Sequence, residues 1–134
     1  MSRLIDDEVW ATLTIWQEAR SEPYEGQLAV AEVIQNRMRM KYLSDGTVVG
    51  TVLKPFQFSC WNTDDPNRLK AATLEDGTAE VAMCRQAWRD VLAGFSVVPK
   101  AVLYYNPAGV EHTPSWADPA KVVRTIGRHV FYRG

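Results

Sequence analysis

The chain has 134 residues, a length that fits one domain able to bury a core without disulfides or metals. Hydrophobic residues make up 46% and charged residues 23%, with a formal net charge of −1; these are ordinary proportions for a soluble globular protein, and they give no sign of a generic nucleic-acid binder. No stretch approaches the roughly 18 apolar residues needed to span a membrane, and the N-terminus turns acidic at Asp6-Asp7-Glu8, where an export signal would be apolar.

A first helix is expected from a cap at Asp6 or Asp7 to about Arg20. Val9, Leu13, Trp16 and Ala19 form one apolar stripe, with Ala11 and Ile15 on another side, the pattern of a buried helix. Ser21-Glu22-Pro23 ends it, because the residue before proline avoids helical geometry. A second helix follows from Pro23 or Tyr24 to Met40, and its small apolar centre, Leu28 to Ala31, favours close packing. Lys41 to Gly46 reads as a loop and Thr47 to Leu53 as a short helix. Pro55 to Asn62 is irregular and aromatic, and Pro66 opens another short helix that ends before Gly77. Thr78 caps a helix running to Leu92, with Val81, Cys84, Ala87, Trp88 and Val91 at helical spacing and Gly94 after it.

The last third changes character. Ala101 to Asn106 reads as a strand, and Asn106 to Asp118 as a proline-bearing loop. Lys121 to Ile126 and His129 to Arg133 read as two strands joined by a two-residue turn at Gly127-Arg128. Helices first and a small antiparallel sheet last predict an α+β domain, residues 1–134.

Glu18 is the unusual carboxylate. It follows Ala11 and Ile15 at helical steps near the end of a mostly buried helix. Apolar surroundings make a carboxylate harder to ionise, which is the state a general acid needs near neutral pH. Residues alone favour the plainer reading, a solvated glutamate or one paired with Arg20 or another arginine. Glu22 and Glu25 read as caps that suit the dipole of the second helix. Glu32 reads as a solvent-edge residue or one tied to neighbours such as Arg37 or Arg39.

Two aromatic sets carry polar partners: Phe56, Phe58 and Trp61 around Gln57, Ser59, Cys60 and Asn62, and Tyr104, Tyr105, Asn106 and Trp116. Aromatic faces beside amides suit sugars, and the same rings could equally fill a core. A cysteine enzyme is the rival class. Cys84 sits on an apolar helical stripe, so Cys60, with His112 or His129, is its better nucleophile. The surroundings of Cys60 lack the positive charge or helix N-terminus that activates a thiol. Two cysteines leave one bridge or two free thiols open, and two histidines without metal-binding spacing make a zinc site unexpected.

Glu18-Ala19-Arg20-Ser21-Glu22-Pro23-Tyr24-Glu25-Gly26-Gln27, followed by Ala29-Val30-Ala31-Glu32-Val33-Ile34-Gln35-Asn36-Arg37, resembles the catalytic domain of spore-cortex-lytic enzymes, cell-wall hydrolase family 2. Val52 to Ser59, Leu103 to Asn106, Pro114 to Ala117 and Ile126 to Tyr132 resemble its later segments in the same order, so the resemblance extends from about Val9 to Arg133. One departure is Ser21, where the family usually has glycine.

The resemblance implies a lysozyme-like helical domain that cleaves the glycan strand of peptidoglycan between N-acetylmuramic acid and N-acetylglucosamine, without cofactor or metal. Its first motif glutamate, here Glu18, is the acid. Gln57, Ser59, Tyr104, Tyr105, Asn106 and Trp116 become expected groove residues. The implied mechanism is that of a lytic transglycosylase, with a lysozyme-type muramidase, a cysteine amidase or peptidase, and a non-catalytic wall-binding module as alternatives. A minimal domain of this kind resembles a phage endolysin: a monomer made without a signal peptide, not inserted in the membrane and released to the wall by a holin.

Overall fold

In the computed structural model, which describes residues 3–54, 58 and 78–134, helix α1 spans Arg3–Ala19. It begins one turn before the expected caps, so Asp6 and Asp7 lie inside it. Leu4 and Ile5 carry the helical apolar spacing upstream of the aspartates. Ala11, Ile15, Trp16 and Ala19 are buried, whereas Val9 is 49% exposed and leaves the predicted stripe. Arg20 folds back over the helix end. Its Nη1 donates to the carbonyls of Trp16 and Gln17 at 3.5 and 3.4 Å, and its guanidinium lies 4.3 Å from the Trp16 ring centre. A cation there suits the negative end of the helix.

Helix α2 (Tyr24–Met40) starts after Pro23 and stops where Lys41 turns left-handed at φ 50°. Helix α3 (Val48–Val52) is capped by Thr47, whose side chain accepts from Gly50 N. Helix α4 (Ala79–Leu92) is capped by Thr78 through Val81 N, as the sequence predicts. Helices α1, α2 and α4 pack against one another around Ile15, Trp16, Val30, Ile34, Val52, Phe58, Trp88 and Val91. At the rim, Arg89 grips Glu8 through two 2.9 Å bonds, and the Tyr24 hydroxyl donates to Asp90 at 2.6 Å. The expected short helix between Pro66 and Gly77 lies outside the described residues.

The sheet has the order β1-β3-β2, all antiparallel, with β1 at Ala101–Tyr105, β2 at Val122–Ile126 and β3 at His129–Arg133. Ile126 pairs with His129, so Gly127 and Arg128 are the two-residue turn, and Gly127 has the positive φ of 57° that this turn demands. Among the described residues, four α-helices and this sheet make the α+β fold that the sequence predicts.

Buried polar side chains of α2 join the two halves. Glu32 accepts from Ser96 Oγ and from the amides of Val97 and Val98 at 2.5, 2.7 and 2.8 Å. It is only 5% exposed, so neither expectation for it, solvent edge or ion pair with α2 neighbours, holds. Asn36 donates to the carbonyls of Val98 and Ala101, and Arg37 Nε donates to Val102 O at 2.6 Å. Carboxylate, amide and guanidinium thus supply the partners that the buried backbone before and within β1 needs.

Candidate active site

Three elements meet at Glu18. It lies in the last turn of α1 and is half-buried. Tyr104, from β1, donates its hydroxyl to Glu18 Oε1 at 2.5 Å across 86 residues of sequence. The pairing depends on β1 being pinned to α2 two residues earlier, at Val102, by Arg37.

Arg37 is buried beneath this pair, with its guanidinium 4.8 Å from the ring centre of Phe58. Burial pulls its pKa below the ordinary arginine value, and the nearby Tyr104, Tyr42 and Glu18 oppose that shift. A cation so close to the catalytic candidate escaped the sequence reading. The usable signal was its spacing: Val30, Val33, Ile34 and Arg37 share one helical face, so an arginine there had to be buried.

Glu22 does not cap α2. It is buried, and it holds the β2–β3 turn: Oε1 accepts from Arg128 N at 2.8 Å and Oε2 from Arg128 Nε at 3.1 Å. Burial alone would raise its pKa, but the Arg128 hydrogen bonds and the charges of His129 and Arg128 leave it below the usual carboxylate value. Glu25 pairs with Arg124 at 3.0 Å in the open.

Tyr104 and Tyr105 do not share a face. Neighbouring residues on a strand point to opposite sides of a sheet. Tyr104 packs on Phe131 and His129, with ring centres 5.3 and 5.0 Å apart. Tyr105 joins Trp116 and Tyr132 on the other face, with centres at 5.6 and 6.0 Å. Asn106 caps the turn of 3-10 helix at Pro107–Gly109 by accepting from Ala108 N. Of the six expected groove residues, Tyr104 reaches Glu18, Tyr105 and Trp116 form a separate aromatic cluster, Asn106 braces a turn, and Gln57 and Ser59 lie outside the described residues. Cys60 also lies outside them. Cys84 is buried, and burial pushes its thiol up to about 12, far from a ready nucleophile. Among the described residues no cluster of His, Cys, Asp or Glu could hold a metal ion, and no helix is long and apolar enough to cross a membrane.

Residues 21–132 match the family model described as Cell Wall Hydrolase. The chain belongs to the cell wall hydrolase family. The matched stretch opens at Ser21 and leaves Glu18 outside it. The family's relatives include the spore cortex-lytic enzyme of Bacillus subtilis (strain 168), 30% identical over 120 residues, covering 87% of this chain and 34% of that protein. That of Oceanobacillus iheyensis is 32% identical, again over 87% of this chain and over 38% of that protein. The chain therefore spans little more than a third of the length of these curated relatives. Two solved domains share its fold. One is the catalytic domain of the germination-specific lytic transglycosylase SleB from Bacillus anthracis (TM-score 0.74, 26% identity, 96% of this chain and 94% of that one). The other is the catalytic domain of the Bacillus cereus SleB protein (TM-score 0.76, 27% identity, 96% and 91%).

Proposed function

We propose that this cell wall hydrolase cleaves the glycan strand of peptidoglycan as a lytic transglycosylase, with Glu18 as both acid and base. Glu18 protonates the glycosidic oxygen between N-acetylmuramic acid and N-acetylglucosamine, and the bond to the anomeric carbon breaks through an oxocarbenium-like state. The 6-hydroxyl of the same muramic acid then attacks that carbon, and Glu18 takes its proton. The ring closes as a 1,6-anhydro sugar and the carboxyl group is restored. A tethered nucleophile needs no water held by a second carboxylate, and proximity favours it strongly.

The observation that carries this reading is the division of labour among the four glutamates of residues 18–32. Glu22 is committed to Arg128, Glu25 to Arg124 and Glu32 to the 96–98 backbone, whereas Glu18 is oriented by a tyrosine hydroxyl. A retaining glycosidase instead needs a second carboxylate about 5 Å from the acid. The likeness to SleB catalytic domains supports the same choice.

Digestion of purified peptidoglycan followed by mass spectrometry tests the reading. Anhydro-ended muropeptides, one water lighter than hydrolytic products and unlabelled in ¹⁸O water, are expected. Glu18→Gln should fold normally and lose about 10²–10⁴-fold in rate. Labelled reducing ends would make the protein a lysozyme-type muramidase, and near-normal activity in folded Glu18→Gln would remove Glu18 from the chemistry. Loss of activity on thiol alkylation, with cleavage in the stem peptide, would favour the cysteine reading.

A further inference from the structure

His129 opens β3 directly after the turn that Glu22 clamps. Its Nδ1 lies 3.7 Å from Glu22 Oε1, beyond hydrogen-bond reach. That nitrogen is buried and has no hydrogen-bond partner. The imidazole meets Tyr104 edge-on, with centres 5.0 Å apart and planes at 69°, and meets Phe131 at 6.1 Å and 81°. His129 and Phe131 therefore both bear on the ring whose hydroxyl sits on Glu18. An unpartnered buried nitrogen calls for an explanation, since phenylalanine would fill the same space without it.

We infer that His129 is a positioning residue for Glu18: its neutral imidazole sets the Tyr104 ring, and Glu22, by clamping the turn, sets the imidazole. This inference rests on the reading of Glu18 as the acid. The charged and titratable groups around His129 are Glu22 from the α1–α2 connection, Arg128 from the turn and Tyr104 from β1, with Glu18 reached through Tyr104. Burial and Arg128 hold His129 below its ordinary value, against the pull of Glu22. It is neutral near pH 7. On protonation, the imidazolium is drawn to the free energy well of Glu22 Oε1, away from Tyr104, and the tyrosine loses its edge contact. Glu22, whose pKa lies below the ordinary carboxylate value, stays ionised through this range. A fall in kcat on the acid side of neutrality that disappears when the imidazole is replaced therefore reports His129.

The test is kcat and KM against pH on solubilised glycan strands for the wild type, His129→Ala and His129→Phe, with folding checked by circular dichroism. His129→Ala should lower kcat about tenfold or more with KM little changed, as expected when an acid is misplaced. His129→Phe should recover most of kcat at pH 7 and lose the acid-side fall below pH 6.5. A histidine proton titration followed by NMR in the wild type should move the Tyr104 ring signals with the same midpoint, and it decides the matter even if His129→Ala does not fold. Wild-type kcat in folded His129→Ala, an unchanged acid-side fall in His129→Phe, or Tyr104 signals indifferent to the histidine titration would each overturn the inference. Glu18→Gln is run alongside. If it retains activity, the proposed function fails; if it is dead while the His129 variants behave as wild type, only the role of His129 fails.

Discussion

The helical half and the sheet are held by different forces. Helices α1, α2 and α4 share a core of aliphatic side chains and tryptophan, and the polar contacts between them, such as Arg89–Glu8 and Tyr24–Asp90, lie at its rim. The sheet adds apolar packing of its own through Ile126 and Phe131 on Ala29 and Val33. Its position, however, is fixed by polar atoms: Glu32 on 96–98, Asn36 on Val98 and Ala101, Arg37 on Val102, Glu22 on Arg128 and Tyr104 on Glu18. Apolar packing tolerates small slides, whereas a hydrogen bond is lost within a fraction of an ångström. A fold that must bring a tyrosine from one half onto a glutamate of the other gains accuracy from directional bonds.

The sharpest way to break this contrast is Glu32→Ala. It leaves the Ser96 hydroxyl and the Val97 and Val98 amides without their acceptor, at a cost of about 3 kcal/mol or more in urea unfolding. A loss below 1 kcal/mol would show that apolar packing alone seats the sheet. Next comes Gly127→Ala. A Cβ there would stand 2.5 Å from Glu22 Oε1 on a backbone at φ 57°, so a loss of about 1–3 kcal/mol is expected, together with reduced wall cleavage because the clamped turn carries His129. Full activity in that variant would detach the turn from the site.

Acid should loosen the same junction. Glu22 has a folded-state pKa below its ordinary 4.5, so its contribution is present above that value and is lost as pH falls through the lowered one. His129 is also lowered, from 6.5. The unfolded chain therefore takes up that proton first, and stability again declines as pH falls below 6.5. Both effects have the same sign, and Glu22→Gln should flatten the decline below pH 4.5 in thermal melts. An unchanged slope would shift the acid sensitivity to other carboxylates. The smallest effect belongs to the exposed Glu25–Arg124 pair. Its removal should cost under about 1 kcal/mol, and a larger value would mean that rim charges also seat the sheet.

The sequence made the elements legible wherever the signal was local. Thr78 as a cap, the helical spacing from Val81 to Val91 and Gly127 in a two-residue turn all appear as predicted. Glu18 and Tyr104 were each named as site candidates, but the contact between them was not. The hydrogen-bond partners of the Glu22, Glu32, Asn36 and Arg37 side chains lie between 62 and 106 residues away in the chain, where no local pattern reaches, so Glu22 read as a cap, Glu32 as a solvent-edge or ion-paired residue, and Asn36 and Arg37 as nothing more than neighbours of Glu32. The opposite facing of Tyr104 and Tyr105 was open to view in the strand period, yet composition grouped them as one groove.

The polar row on α2 also sets an order of events during synthesis. Ribosomes deliver α1, α2 and α4 before residues 96–102 exist outside the tunnel. Until that segment arrives, Glu32, Asn36 and Arg37 have no partners for the positions they finally occupy, and desolvating them early would be unfavourable. The nascent helices can gather loosely but cannot lock. Committed folding waits for residues 96–134, and a ribosome-stalled product ending before Ser96 should be protease-sensitive where the 134-residue chain is not.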